Sequence, residues 1–344
     1  MLDNVKNIDL ISKLTTSEFW DFCNQNLVPQ LVPLEKQRVQ KLKTLKLFAL
    51  CNKAGIFIML ILFFAALVFA IISRNNMNNE LGLLSTKCSG LVLLTSVLLV
   101  YASGFMKSKK DSIEKEFKQN FYNKLLSFLG DFSYFEGEID SWVYDSLKQE
   151  VANLKLFSKN NIFYCDDLIK GVYNGLNVCI GDIKLEYKSA TSTSSTPDTV
   201  FNGVLVCCDS NKNFKSTTVI KKEEGALVNS LYAPDGLEKV KLEDPIFEKA
   251  FEVYSNDQIE ARYLLTTSFM ERLLTAQKKL KTTVTCSFEN GKMYIAINID
   301  KNWFDVDIIQ NSLTDLKTYQ KILMDLITVL SVIEVLRIDE KTGM

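Results

Sequence analysis

AGIFIMLILFFAALVFAII (Ala54–Ile72) and CSGLVLLTSVLLVYASGFM (Cys88–Met106) are the stretches that decide how the rest of this chain must be arranged. Each runs 19 residues without a charge, the length a helix needs to cross a bilayer's hydrocarbon core. The segment between them, residues 73–87, is short and polar. The pair therefore reads as a transmembrane hairpin. Uncharged runs of this length are rare in soluble folds, which weighs against two buried core helices. Lys36, Arg38, Lys41, Lys43, Lys46 and Lys53 precede the first span, and Lys107, Lys109, Lys110, Lys115, Lys118 and Lys124 follow the second. The connecting segment holds only Arg74 and Lys87. This positive-inside pattern predicts a multi-pass protein with both termini cytoplasmic.

The start of the chain mixes Asp3, Asp9, Glu18 and Asp21 with apolar residues, so the first span is expected to be an uncleaved anchor. Neither span holds a charged side chain, which argues against a pump or carrier. The formal net charge is −1, so no nucleic-acid partner is expected. The two basic clusters suit the cytoplasmic leaflet, where they fix topology and attract anionic head groups. Histidine is absent, which removes the commonest general base and metal ligand. The eight cysteines form no CxxC pair. No metal, disulfide or cofactor is expected, and the thiols of a cytoplasmic domain should be reduced. Adjacent Cys207 and Cys208 should point to opposite faces of a strand.

Outward from the spans, residues 1–53 read as N-terminal cytoplasmic helices, with short helices ending at Pro29 and Pro33 and a longer one from Leu34 into the membrane. Residues 54–72 and 88–106 are the spans, and 73–87 the external loop. Residues 107–156 read as a cytoplasmic helical stalk. In it Ile113, Phe117, Phe121 and Leu125 recur every fourth residue, Gly130 stops the helix, and Val143, Leu147, Val151 and Leu154 repeat in a further one. Residues 157–344 read as an α+β domain. Asn174-Gly175 and Asn290-Gly291 sit between alternating apolar runs and predict two hairpins with type I′ turns. Thr199–Cys208 and Ser216–Lys222 read as another strand pair, turned at Asp209–Asn213. Short strands are expected near Lys239–Leu242 and Phe251–Tyr254, a two-piece helix over Asp257–Lys278, and a last helix over Thr314–Arg337. Asp166-Asp167 reads as a turn rather than a carboxylate pair. The expected class is thus a two-helix transmembrane hairpin with a cytoplasmic stalk and a mostly antiparallel sheet domain of about seven to nine strands, closed by a C-terminal helix on a pleckstrin-homology-like plan.

Three segments carry a family resemblance. They are Leu242-Glu-Asp-Pro-Ile-Phe-Glu248, the run Phe251-Glu-Val-Tyr-Ser-Asn-Asp-Gln-Ile-Glu-Ala-Arg-Tyr-Leu-Leu-Thr266, and Phe269-Met-Glu-Arg-Leu273. They resemble the signature of a bacterial two-span membrane protein family catalogued as domain of unknown function 3137. Phe201–Val206, Lys212–Ile220 and Leu34-Glu-Lys-Gln-Arg38 are similar to the same family, so the resemblance runs from about residue 30 to residue 310. Thr267 stands where members often have proline, a departure that touches only a helix start. The resemblance implies a bacterial inner-membrane protein and brings no activity, cofactor or catalytic residue with it.

Within the signature, Ser255 or Asp257 is expected to cap a helix. Phe251, Val253, Ile259, Leu264, Leu265 and Phe269 are expected in the core. Asp257, Glu260 and Arg262 form the candidate partner or ligand site, in which Arg262 would clamp a carboxylate. No P-loop, dinucleotide fingerprint or GxSxG elbow occurs. The expectation is a membrane-anchored, non-catalytic module that binds a protein partner or lipid at the inner leaflet. The alternatives are an enzyme using carboxylates and Arg262 on a membrane-associated substrate, and a homo-oligomeric channel or scaffold packed through Ala66, Ala70, Ser96 and Ser103.

Overall fold

The computed structural model describes residues 17–76, 79–136, 141–189, 196–210, 212–224, 233–299, 303–304, 307 and 309–336. The chain divides into two compact units. One comprises Leu31–Asn120 with Ile308–Leu313, and the other comprises Met1–Gln30, Phe121–Asp307 and Thr314–Met344.

The first unit is built on two long helices, α2 (Val28–Asn76) and α3 (Asn79–Leu129). The helix preceding them, α1 (Ser17–Asn26), ends short of Pro29. The prolines do not stop α2, contrary to the expectation from sequence. Pro29 occupies the first turn, where no intrahelical N–H bond is needed, and Pro33 removes a single bond near the start. Partner residues descend along α3 as they ascend along α2, so the pair is an antiparallel hairpin. Lys41 Nζ binds Glu116 at 2.7 and 2.5 Å, and Ser85 donates to the Ala66 carbonyl at 3.0 Å. Gly55 lies so close to Leu99 that an added Cβ would stand 2.8 Å from its methyl. The outward surface is apolar: Phe57, Phe64, Leu93 and Tyr101 are 66, 69, 69 and 78% exposed. Both helices are long and apolar enough to cross a membrane.

Leu34–Arg38, singled out in sequence, fastens residues 309–313 to α2. Arg38 is buried, and its guanidinium grips Glu35 through Nε and Nη2, both at 2.8 Å. Its Nη1 donates to the Ile309 carbonyl at 3.1 Å, and the Leu313 N–H donates to Glu35 at 3.0 Å.

The second unit is an α+β domain on a nine-stranded sheet, antiparallel at every contact. Its strands are β1 (Phe132–Glu136), β2 (Ile162–Tyr173), β3 (Leu176–Tyr187), β4 (Asp198–Asp209), β5 (Thr218–Lys222), β6 (Glu238–Val240), β7 (Phe251–Ser255), β8 (Val284–Glu289) and β9 (Lys292–Asn298), in the spatial order β1-β2-β3-β4-β9-β8-β5-β7-β6. Both Asn-Gly hairpins form. Asn174 and Gly175 take φ of 49° and 80°, and Asn290 and Gly291 take 54° and 75°, as type I′ turns require. One face is covered by α4 (Ser141–Ala152). Its Val143, Leu147 and Val151 join Leu154, Phe163, Leu185, Leu205 and Tyr294 in one buried cluster. The other face meets α7 (Thr267–Leu280), whose Phe269 packs 5.6 Å from Phe288. The last helix, α8 (Leu316–Leu336), packs on α7, and its Glu334 accepts from the Tyr173 hydroxyl. At its start Tyr319 donates to Asn24 of α1 at 2.6 Å.

Four expectations are corrected. The sheet is open, with β1 and β6 at its edges, so it is not a closed pleckstrin-homology-like barrel. β4 and β5 do not pair, because the β8–β9 hairpin lies between them. Residues 132–136, expected in a helical stalk, form an edge strand on β2. Asp166-Asp167 is not a turn: β2 runs through it with a bulge between Cys165 and Leu168, and buried Asp167 accepts from the Tyr134 hydroxyl at 2.5 Å.

Candidate functional site

The signature segments fold into a tight corner. β7 ends at Ser255, and Asp257 caps α6 (Gln258–Leu264) by accepting from the Ile259 and Glu260 N–H groups, both at 2.9 Å. Helix α7 follows after two residues, capped by Thr266. Ahead of them, α5 (Pro245–Ala250) is capped by Asp244 and buries Phe247 against Phe251. The break between α6 and α7 and the core positions Phe251, Val253, Leu264, Leu265 and Phe269 match the sequence reading; Ile259 is 82% exposed and does not.

The three candidate residues lie together on α6 and its cap, and each binds backbone. Glu260 accepts from Ser216 N at 2.6 Å and from Lys215 N at 3.0 Å, which ties the β4–β5 loop to α6. Desolvation opposes its ionisation, but the hydrogen bonds from Ser216 and Lys215 prevail and hold its carboxyl below the usual range. Exposed Arg262 donates to the Gln258 carbonyl at 3.0 Å and reaches the Lys241 carbonyl at 3.5 Å, rather than clamping a carboxylate.

Two further polar groupings went unread in the sequence. Beneath α4, Glu150 accepts from Lys292 Nζ and from the Tyr294 hydroxyl, both at 2.6 Å, with Cys207 Sγ at 3.8 Å. Burial works against the Glu150 charge, but the bonds from Lys292 and Tyr294 hold its carboxyl low. Burial pushes the neighbouring Cys179 thiol up to about 11 and raises Cys207 further, so neither is a ready nucleophile. Nearby Glu289 is 3% exposed and accepts from Lys155 N at 3.1 Å through one oxygen; among the described residues its other oxygen has no partner within hydrogen-bond distance. Burial pushes this carboxyl up. A signal for this group existed: Glu150 falls three residues after Leu147 on the apolar face of α4, and Lys292 and Tyr294 share one side of a strand. Across the sheet Cys208 donates to the Met293 carbonyl at 3.6 Å, so the adjacent cysteines do face opposite ways. All eight cysteines are free thiols. Among the described residues no group of three His, Cys, Asp or Glu side chains is placed to hold a metal ion.

Residues 199–338 match the model of a family described as "Protein of unknown function (DUF3137)", the family whose resemblance the signature segments carry. No curated protein matches the chain. Among solved structures, the chain is similar to the mycobacterial trehalose monomycolate transport factor A, TtfA, at 11% identity and a TM-score of 0.30, covering 62% of this chain and 93% of that one.

Proposed function

We propose that this chain is a bacterial inner-membrane protein with both termini in the cytoplasm. Its α+β domain acts as a non-catalytic module that binds a protein partner or a lipid at the inner leaflet, using the corner that carries Asp257, Glu260 and Arg262. The observation behind this reading is the belt of exposed apolar side chains on α2 and α3, flanked on the chain by basic clusters. Leaving such a belt in water would run against the rule that soluble proteins keep exposed apolar patches small. The non-catalytic part is supported by the carboxylates of Asp257 and Glu260, which accept backbone N–H groups instead of facing a substrate.

Topology is tested by cysteine labelling, with Cys51 and Cys88 replaced by serine. Glu80→Cys should react with an impermeant maleimide in intact cells, and Lys281→Cys only after lysis; the reverse pattern would overturn the orientation. For the module, a photo-crosslinking residue at position 262 should give one reproducible adduct from native membranes. A substrate turnover that disappears in Arg262→Ala would instead establish an enzyme.

A further inference from the structure

Two thiols meet beneath α4. Cys179 of β3 and Cys207 of β4 are directly opposed in the antiparallel register, and opposed residues share one face of a sheet. Cys207 belongs to the buried cluster under Val143, Leu147 and Val151, and Cys179 packs against that cluster. Cys207 is 5% exposed and donates through Sγ to Glu150 at 3.8 Å, whereas Cys179 is half-buried and reached by solvent. The hydrogen-bond phase of the strands sets the spacing of the two thiols. The Val172 N–H donates away from β3, to the Asp131 carbonyl, so Val172 and Asn177 are a non-hydrogen-bonded pair of the β2–β3 hairpin. Two residues on, Lys170 and Cys179 are another, and the Cys179 backbone is therefore turned to β4. The Ser210 N–H, donating to the Gly291 carbonyl, gives the same phase from the β4–β9 side. Cys179 and Cys207 are thus the hydrogen-bonded kind of pair, with Cα atoms about 5.5 Å apart and Cβ atoms at the wide end of the cross-strand range. A disulfide needs about 3.5–4.5 Å between Cβ atoms, so the pair is too wide for a direct sulfur–sulfur bond and leaves room for one atom between the sulfurs. Positive charge brackets it. Lys170 is paired across β2 with Cys179, and Lys292 Nζ binds the same Glu150 oxygen as Cys207 Sγ.

We infer that Cys179 and Cys207 form a two-coordinate site for a soft monovalent cation of the copper(I) class. Thiolates select soft metals. Zinc takes four ligands, and among the described residues no group of three Cys, His, Asp or Glu side chains is placed to hold a metal ion. With metal–sulfur bonds of about 2.3 Å, the length of zinc–thiolate bonds, a near-linear sulfur–metal–sulfur unit spans about 4.6 Å, which opposed side chains of this pair can bridge. Binding exchanges protons for metal: two thiols and one monovalent cation give a bis-thiolate complex with a single negative charge and release two protons. No electron changes hands. Lys170 and Lys292 offset the new negative charge, and the exposed edge of Cys179 is the way in. Burial raises both thiols above their ordinary value, so affinity should rise with pH.

The test uses the reduced full chain in neutral detergent micelles under nitrogen, with free copper(I) buffered by bathocuproine disulfonate. One tightly held copper per chain is expected, with thiolate-to-copper charge-transfer absorption in the ultraviolet. Cys179→Ser and Cys207→Ser should each lower the affinity by more than the roughly 10–100-fold that loss of an outer-shell partner costs. Cys51→Ser, which removes an exposed thiol of the first unit, should leave it unchanged. Near-UV dichroism melts identify variants that fail to fold, and Cys207→Ala supplies an apolar replacement for the buried thiol. The unaltered chain gives a second readout: copper(I) should protect Cys179 from maleimide, mapped by peptide mass, while Cys51 still reacts. No tightly held copper, equal affinity in well-folded serine variants, or an unprotected Cys179 in the copper-loaded chain overturns the site. A Cys179–Cys207 disulfide formed with diamide by a chain that retains no copper overturns it in favour of a redox pair.

Discussion

Replacing Arg38 by methionine should release residues 309–313 from α2. The wild-type guanidinium makes two 2.8 Å bonds to Glu35 and one of 3.1 Å to the Ile309 carbonyl. Glu35 in turn holds the Leu313 N–H at 3.0 Å. Breaking a fully buried pair costs about 3–5 kcal/mol. Here the Glu35 side chain keeps 17% of its exposure, so water can reach the orphaned carboxylate and the figure falls to about 2–4 kcal/mol. At about 1.4 kcal/mol per factor of ten, local opening should become about 30- to 700-fold more frequent. Amide exchange of Leu313 in the full chain reads this directly, with β8 and β9 amides as the reference that should not change. Acid should act in the same direction. Desolvation opposes the Glu35 charge, but the bonds from Arg38 and Leu313 hold its carboxyl below the ordinary 4.5. The stabilisation is therefore complete above that value and is lost as pH falls through the depressed one. Leu313 exchange within threefold of wild type in a folded Arg38→Met chain would refute the fastening.

Gly203 sits in β4 at φ +152°, and a Cβ there would stand 2.2 Å from the Ile297 carbonyl oxygen and 2.8 Å from Ile299 N; Gly203→Ala should cost about 4 kcal/mol or more in urea melts, whereas Gly90→Ala, with open space around its Cβ, should shift stability by less than about 0.5 kcal/mol. Glu150→Ala removes the shared acceptor of Lys292 and Tyr294 beneath α4; with the two charged side chains 26 and 37% exposed, it should cost about 1–2 kcal/mol, and Glu150→Gln distinctly less; equal losses would show that packing, not hydrogen bonding, is at stake. Glu289 carries a raised carboxyl, so its folded state binds a proton more tightly than the unfolded chain, and stability should fall as pH rises from the ordinary carboxyl value through the folded one. Glu289→Gln should abolish that slope and melt no lower than wild type at pH 7.5, and a lower melting temperature there would contradict the assignment.

Local chemistry explains which elements could be read in advance. The Asn-Gly turns need two consecutive positive φ values, a demand met within the dipeptide itself, and both hairpins stand where the sequence puts them. The α6–α7 break is equally local, since Asp257 and Thr266 each cap the segment directly behind them. Strand order is a different kind of information. β4 and β5 look like neighbours because eight residues separate them, yet β4 finds its partner in β9. The β8–β9 hairpin fits between them because Met293, Ile295 and Ile297 present an apolar row to Cys208, Val206 and Val204. Nothing within either segment encodes that match. The barrel expectation failed for the same reason, since closure depends on the pairing of the first and last edges.

The candidate site shows the converse difficulty. Asp257, Glu260 and Arg262 stood out because charges cluster in a signature segment, and in the structure their hydrogen bonds go to backbone N–H and carbonyl groups of the corner. A charge that completes a cap or ties down a loop is indistinguishable in sequence from one that meets a ligand. What separates the two is whether the donors and acceptors are already used.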